Sequence, residues 1–249
     1  MAFLNDFLVV ASNLGVQVWS EQGDNLIFFY PKSSLKKSYD EDAFMRGLAS
    51  VGNSIAVGTS SGEVLVFSNS SSSSSEAFSL AFNLESEGKP ICALSSSRDS
   101  LAAGNDIGSL FGYDINQAFD LTFTFPGAGY PCTAMCQKGD VLFAGFSTGH
   151  IRIYRTDIHE LALEVTAHTR AITGLVMDDR GDTVASCSPD QNIHFWSVPE
   201  FHSVATSGVH NLHSVELENK ICTGAAFSTN NQLVVASYDD CELLIVKQK

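Results

Sequence analysis

The sequence predicts an all-β chain built as a β-propeller, and three observations predict it. An eleven-residue hairpin pattern recurs six times. The recurrences are spaced like propeller blades. No stretch carries a strong competing helical period. The six windows are Val9–Trp19 (VVASNLGVQVW), Val57–Phe67 (VGTSSGEVLVF), Ala103–Tyr113 (AGNDIGSLFGY), Ala144–Tyr154 (AGFSTGHIRIY), Ser186–Trp196 (SCSPDQNIHFW) and Ala236–Val246 (ASYDDCELLIV). Each opens on a small or β-branched residue and passes through a polar or Gly-containing turn. An aliphatic residue stands three before the end: Val16, Val64, Leu110, Ile151, Ile193 and Leu243. A bulky apolar residue closes each window. Two short strands around a tight turn read as a β-hairpin. The closing residues are 48, 46, 41, 42 and 50 positions apart, which fits a blade period of about 40–45 residues with insertions.

The remaining strands follow in order around these hairpins. MRGLAS, ICALSS, CTAMCQ, ITGLVM and CTGAAF precede the second to sixth hairpins and read as inner strands. Only residues 1–6 are available for the first inner strand. NLIFFYP, AFSLAF, LTFTF and ELALEV follow the first four hairpins and read as outer strands. The fifth outer strand is either FHSVAT or HSVELE, and only Lys247-Gln248-Lys249 follow the sixth hairpin. Small residues in each window, placed near the start of the second strand, let stacked sheets approach to about 10 Å. The reading is one domain over residues 1–249 with six recognisable blades, or a seven-bladed ring left incomplete. Open sheet edges in an incomplete ring would favour self-association. The Ser-rich run at 68–76 joins the third and outer strands of the second blade as a flexible solvated loop.

Composition narrows the partners. The chain has 249 residues, 44% of them apolar, enough to bury a sizeable core. Lys plus Arg number 14 against 28 Asp plus Glu, a net charge of -14. That balance excludes the basic footprint of a nucleic-acid binder. No apolar run approaches the ~18 residues of a membrane-spanning helix, so no membrane insertion is expected. No secretory leader is visible, and the six cysteines, at 92, 132, 136, 187, 222 and 241, read as thiols of a reducing compartment, the cytoplasm first and the nucleus as the alternative. Cys132 and Cys136 would stand ~13 Å apart on a strand, too far to share a zinc ion. His202, His210 and His213 cluster in an insertion, but no cysteine or carboxylate completes a ligand set at familiar spacing. No cofactor is expected.

Ser186–Trp196 holds a serine, an aspartate and a tryptophan, and His168 stands eighteen residues ahead of Ser186. Ser, His and Asp are also the members of a hydrolytic triad. A triad needs an exposed nucleophile, and no G-x-S-x-G elbow is present. The stretch AHTRAITGLVMDDRGDTVASCSPDQNIHFW resembles a repeat of the WD family. That resemblance implies a structural tetrad of His168, Ser186, Asp190 and Trp196: Asp190 accepts from His168, which holds Ser186, which accepts from Trp196. The other windows place Asn13, Ser61, Ile107 or Thr148 at the aspartate position, or keep Asp240 without the tryptophan. MRGLASVGNSIAVGTSSGEVLVF, GAGYPCTAM and AHTRAI resemble one branch of that family along most of the chain. Members of that branch carry an N-terminal segment ahead of the counterpart of Phe7.

The implied function is a non-enzymatic scaffold that presents propeller loops to protein partners. An enzyme using the central channel is one alternative, and a peptide reader of ubiquitin or histone tails is another. The inner-strand beginnings Met45, Ile91, Cys132, Ile172 and Cys222, expected at the channel, offer neither a hard metal ligand nor a general base. The residues just before them point to a partner-binding face: Lys89, Tyr130, Arg170 and Lys220, joined by Lys32, Lys36 and Lys37 from an insertion at 31–44. Such a face suits an acidic or aromatic-bearing peptide, with Arg170 and Tyr130 as anchors.

Overall fold

The computed structural model describes residues 2–4, 6–35, 45–69, 78–198, 208–238 and 240–246. Its strands form six antiparallel sheets, five of four strands and one of three among the described residues. They gather into two compact units, Met1–Pro131 and Cys132–Lys249.

The first unit holds three sheets. The first is β1 (Ala2–Leu4), β2 (Phe7–Ser12), β3 (Gly15–Ser20) and β4 (Leu26–Pro31). The second is β5 (Met45–Val51), β6 (Ser54–Thr59), β7 (Glu63–Asn69) and β8 (Phe78–Glu85). The third is β9 (Ile91–Ser96), β10 (Ser100–Asn105), β11 (Leu110–Asp114) and β12 (Asp120–Phe125). The second unit repeats the plan with β13 (Cys132–Lys138), β14 (Val141–Phe146), β15 (His150–Arg155) and β16 (Glu160–Thr166). Then come β17 (Gly174–Met177), β18 (Thr183–Cys187), β19 (Asn192–Ser197) and β20 (Asn211–Glu216). The last sheet is β21 (Cys222–Phe227), β22 (Leu233–Ser237) and β23 (Leu244–Val246). In every sheet the strands lie side by side in chain order.

All six hairpins stand where the repeat places them. The short run at residues 1–6 does supply an inner strand, with Ala2 opposite Val9. The fifth outer strand begins at Asn211, two residues ahead of HSVELE. Residues 70–77 lie outside the described residues, as do Lys36, Lys37 and His202.

The middle strands explain the packing. In β6, Ile55 and Val57 join a core with Val9, Val16 and Val18 of the first sheet. Ala56, between them, joins a separate core with Ile91, Leu101 and Phe111 of the third. β18 divides in the same way. Val184 packs with Phe143 and Ile153, while Ala185 and Cys187 pack with Leu233 and Val235. A strand covered on both faces must be apolar at every position, so these strands read as continuous apolar runs rather than alternating ones. The small residues stand at the end of the second strand, not near its start. At Gly58 a Cβ would come within 2.5 Å of both the Arg46 carbonyl oxygen and Ile91 Cγ2, and at Gly145 within 2.9 Å of Ile172 Cγ2.

The inner strands depart from the sequence reading in one systematic way. Met45, Ile91, Ile172 and Cys222 are buried in the cores between sheets, Cys132 is likewise buried, and β17 starts only at Gly174. The cause is a β-bulge near the second residue of these strands. Pairing skips Gly47, Cys92, Thr133 and Thr223. An extra residue reverses which face its neighbour meets, so the first residue turns into the core.

Candidate functional site

The tetrad residues come from the fifth sheet and the loop that leads into it. His168 lies in the loop between β16 and β17. That loop is fixed from below by Gly149, whose carbonyl accepts from the N–H groups of Ala167 at 3.1 Å and His168 at 3.0 Å. Ser186 is on β18, Asp190 in the β18–β19 turn and Trp196 on β19. Asp190 Oδ2 lies 3.0 Å from His168 Nδ1, His168 Nε2 lies 2.8 Å from Ser186 Oγ, and the Trp196 indole N–H donates to Ser186 Oγ at 2.9 Å. A carboxylate at Nδ1 fixes the proton there, so Nε2 is bare and accepts from the serine hydroxyl. Ser186 therefore donates once and accepts once.

The electrostatics agree with a neutral imidazole. Burial holds His168 below the ordinary histidine range, against the opposing pull of Asp190. Burial pushes Asp190 up, but the backbone N–H groups of Thr169 and Asn192, together with His168, bring it below the usual carboxylate value. Those N–H groups donate at 2.9 and 3.0 Å. The distances match a nucleophile, a base and an orienting acid. Burial separates the two readings: the Ser186 residue is 0% exposed and its oxygen is already engaged by the indole. A group closed on every side braces the turn against the incoming loop.

The brace extends further than four residues. The His194 ring centroid is 4.6 Å from that of His168 and 5.6 Å from that of Trp196, and His194 Nδ1 is 2.6 Å from Ser214 Oγ on β20. Burial first, and then His168, lowers His194 as well. The available signal was the strand period, which puts His194 two residues before Trp196 on the same face.

Other sheets tie the hairpin turn to a neighbouring loop with different chemistry. In the second, buried Glu63 accepts from Ser61 Oγ at 3.0 Å and Asn83 Nδ2 at 2.9 Å, and Ser86 Oγ donates to the Gly62 carbonyl at 2.6 Å. In the third, Ser109 Oγ donates to Glu87 Oε2 at 2.9 Å, while Asn105 Oδ1 accepts from the N–H of Ser109 at 2.8 Å. In the sixth, Lys220 Nζ pairs with Asp240 Oδ2. Within the second unit a threonine recurs beside each inner-strand start. Thr133, Thr173 and Thr223 donate their hydroxyls to the carbonyls of Gly145, Cys187 and Ala236 at 3.2, 3.3 and 3.2 Å.

The residues of the expected partner face divide between the units. Lys89, exposed, lies in the β8–β9 loop, and Tyr130, half-buried, just ahead of β13. In the second unit Arg170 is exposed in the β16–β17 loop, whereas Lys220 is drawn back by Asp240. Lys32 sits in a 3-10 turn after β4. His210 pairs through its backbone with Ser197, and the His213 ring stacks on Phe195 at 4.2 Å. Among the described residues no group of three His, Cys, Asp or Glu side chains could hold a metal ion. None of the described helices is long and apolar enough to cross a membrane.

Repeated four-stranded sheets, one of them closed by a His-Ser-Asp-Trp brace, define a β-propeller of the WD-repeat class. Solved structures agree on that fold. The Myceliophteria thermophila Cps50 (Swd1) β-propeller domain superposes with a TM-score of 0.76 at 15% identity, over 96% of this chain and 79% of that one. A chain of the mitotic checkpoint complex does so with a TM-score of 0.67 at 18% identity, over 96% and 75%. The chain belongs to the WDR54 family, whose model matches residues 2–247. It is 26% identical over 245 residues to WD repeat-containing protein 54 of Homo sapiens, covering 95% of this chain and 73% of that protein. The Mus musculus protein is likewise 26% identical, over 246 residues, with the same coverage.

Proposed function

We propose that this chain is a non-enzymatic interaction module that holds protein partners on the loops between outer and inner strands. The observation that carries the reading is where the exposed cations stand. On a chain of net charge -14, Lys89 and Arg170 both project from such loops, each just ahead of an inner strand. Cations isolated on an acidic protein select acidic segments and repel basic ones. Tyr130 supplies the aromatic contact for the first unit. The Ser-His-Asp set is sealed and engaged in a brace, which supports a non-catalytic role. The solved neighbour from a mitotic checkpoint complex illustrates the fold at work inside a multi-protein assembly.

The test is quantitative affinity capture with Lys89→Glu and Arg170→Glu measured separately. The expected result is loss of a defined set of acidic partners from at least one variant, with melting temperature unchanged. Identical capture by both variants and wild type would remove the proposal, and turnover in a hydrolase panel would replace it with an enzyme. A second reading, self-association, is favoured by one observation: Tyr238, Leu243 and Ile245 in the sixth sheet are 65%, 67% and 62% exposed. Sedimentation that stays monomeric across concentration would dispose of it. Six scattered cysteines read as thiols support residence in a reducing compartment, the cytoplasm, testable by fractionation.

A further inference from the structure

Two cysteines of the second unit share one core at the boundary between the fifth and sixth sheets. Cys187 follows Ser186 on β18, so it faces the opposite way, into the core shared with β21–β23. Cys222 opens β21 in that same core. Each thiol is felt by the other: Cys187 draws Cys222 below the usual thiol range, and Cys222, with burial, raises Cys187. One side chain fixes the two strands in this relation. The Thr173 hydroxyl lies 2.8 Å from the Cys222 carbonyl oxygen, 3.3 Å from the Cys187 carbonyl oxygen and 3.8 Å from the Cys187 sulfur. Gly174, paired with Cys187 across the ladder, makes the room. A Cβ there would stand 2.6 Å from Cys187 Sγ and 3.2 Å from the Ala225 nitrogen. The sulfur leans over a glycine, and the incoming strand approaches closely because that glycine has no side chain.

Buried structural cysteines are ordinarily inert. Two features set this pair apart. It is a pair, so a sulfur oxidised at one position has a second thiol in the same core to resolve it. It also lies beside a break in the ladder. Pairing of β21 skips Thr223, Thr223 is exposed, and Ile221 on the other side is 42% exposed. A strand end with an interrupted ladder opens locally at less cost than a strand centre. Opening at Cys222 admits a molecule the size of hydrogen peroxide.

We propose that Cys187 and Cys222 form a reversible disulfide that cross-links the fifth and sixth sheets when the protein meets a peroxide. The Cys222 thiolate attacks the O–O bond of hydrogen peroxide, giving a sulfenic acid and hydroxide. The Cys187 sulfur then attacks the sulfenic sulfur and displaces its oxygen. The protons of the two thiols leave with the two oxygens as two waters. The two sulfurs are oxidised by two electrons in all, and a small-molecule dithiol reverses the step by exchange.

The test uses the full chain carrying Cys241→Ser, because Cys222 and Cys241 fall in one tryptic peptide. The protein is treated with hydrogen peroxide, denatured, alkylated with N-ethylmaleimide and digested without reduction. The expected result is a linked pair of peptides, Gly181–Lys220 with Ile221–Lys247, that separates on adding dithiothreitol. Cys222→Ala and Cys187→Ala each abolish the link. Should either substitution unfold the protein, the linkage map of the parent decides alone. Full alkylation of both cysteines at a peroxide dose that oxidises the half-exposed Cys92 would overturn the proposal. So would a link from either cysteine to another, or Cys222 passing to sulfinic acid with Cys187 still free.

Discussion

Replacing Asp190 with alanine removes the acceptor of four donors, His168 Nδ1, the Thr169 N–H and hydroxyl, and the Asn192 N–H, and the cost follows from what is left behind. His168 Nδ1 loses its acceptor while its side chain remains 0% exposed, an unsatisfied buried donor worth about 1–3 kcal/mol. The Asn192 N–H loses the bond that shapes the turn, about 1 kcal/mol more. The Thr169 N–H lies beside exposed residues, so water replaces the lost acceptor there at little cost. Together these give about 3 kcal/mol for Asp190→Ala. Asp190→Asn keeps one acceptor oxygen and is expected to cost about half that. The assay is urea unfolding in a Trp19→Phe background. Trp196 is then the only tryptophan, and its fluorescence reports the second unit at the site of the brace. The midpoint should fall with no change in slope. A midpoint equal to that of the parent would refute the brace, since no relaxation restores an acceptor to a sealed imidazole.

Four further outcomes are expected. His168 and His194 titrate below the ordinary value of 6.5, and Asp190 below 3.8. The unfolded chain therefore binds the proton first, and stability is full above these values and falls as pH drops below about 6.5 and again below about 3.8. A pH series of urea midpoints checks this, and a flat line between pH 7 and 5 would contradict it. Gly149→Ala should unfold the second unit or cost more than about 3 kcal/mol, because φ is +83° and the Cβ would stand 2.1 Å from the His168 carbonyl oxygen. Gly139→Ala, with φ +53° and nothing within 4 Å, should cost only about 1 kcal/mol, and thermal melts distinguish the two. Glu63→Ala should cost about 2–4 kcal/mol. Glu63→Gln should cost about half as much, because its one oxygen can still accept from either Asn83 Nδ2 or Ser61 Oγ; chemical denaturation of the pair settles it. Tyr113→Phe should be neutral or stabilising by up to about 1 kcal/mol, since its hydroxyl is buried with no acceptor and burial pushes its pKa up to about 12.

The hairpins were legible because their signal is local. Gly62 and Gly149 stand at the same place in their windows, with φ near +85°, a conformation that only glycine adopts at little cost. The spacing from His168 to Trp196 was legible for a similar reason, being carried by residue types and not by packing. The inner-strand starts were misjudged because a one-residue bulge leaves no mark in composition yet reverses every facing. The ties of the third and sixth sheets were invisible from within the windows. Their second partners, Glu87 and Lys220, lie in loops about twenty residues ahead of the turns they meet. Lys220 reads as a free cation in the sequence because Asp240, its partner, stands twenty residues away in the next turn. The recurring threonine was visible in CTAM, ITGL and CTGA, but its role depends on a carbonyl that only the ladder brings opposite.

The variety of these ties has a consequence for how such a chain can change. A carboxylate-imidazole brace, a glutamate-serine clasp and a lysine-aspartate pair do the same mechanical task in different sheets, and none shares an atom with another. Ties that share no partner are the ones whose contributions come closest to adding. Each turn can therefore exchange its fastening without renegotiating the rest, and the architecture outlasts the letters that first spelled it. A search keyed to the tryptophan and aspartate of the fifth sheet alone would find one repeat where six sheets stand.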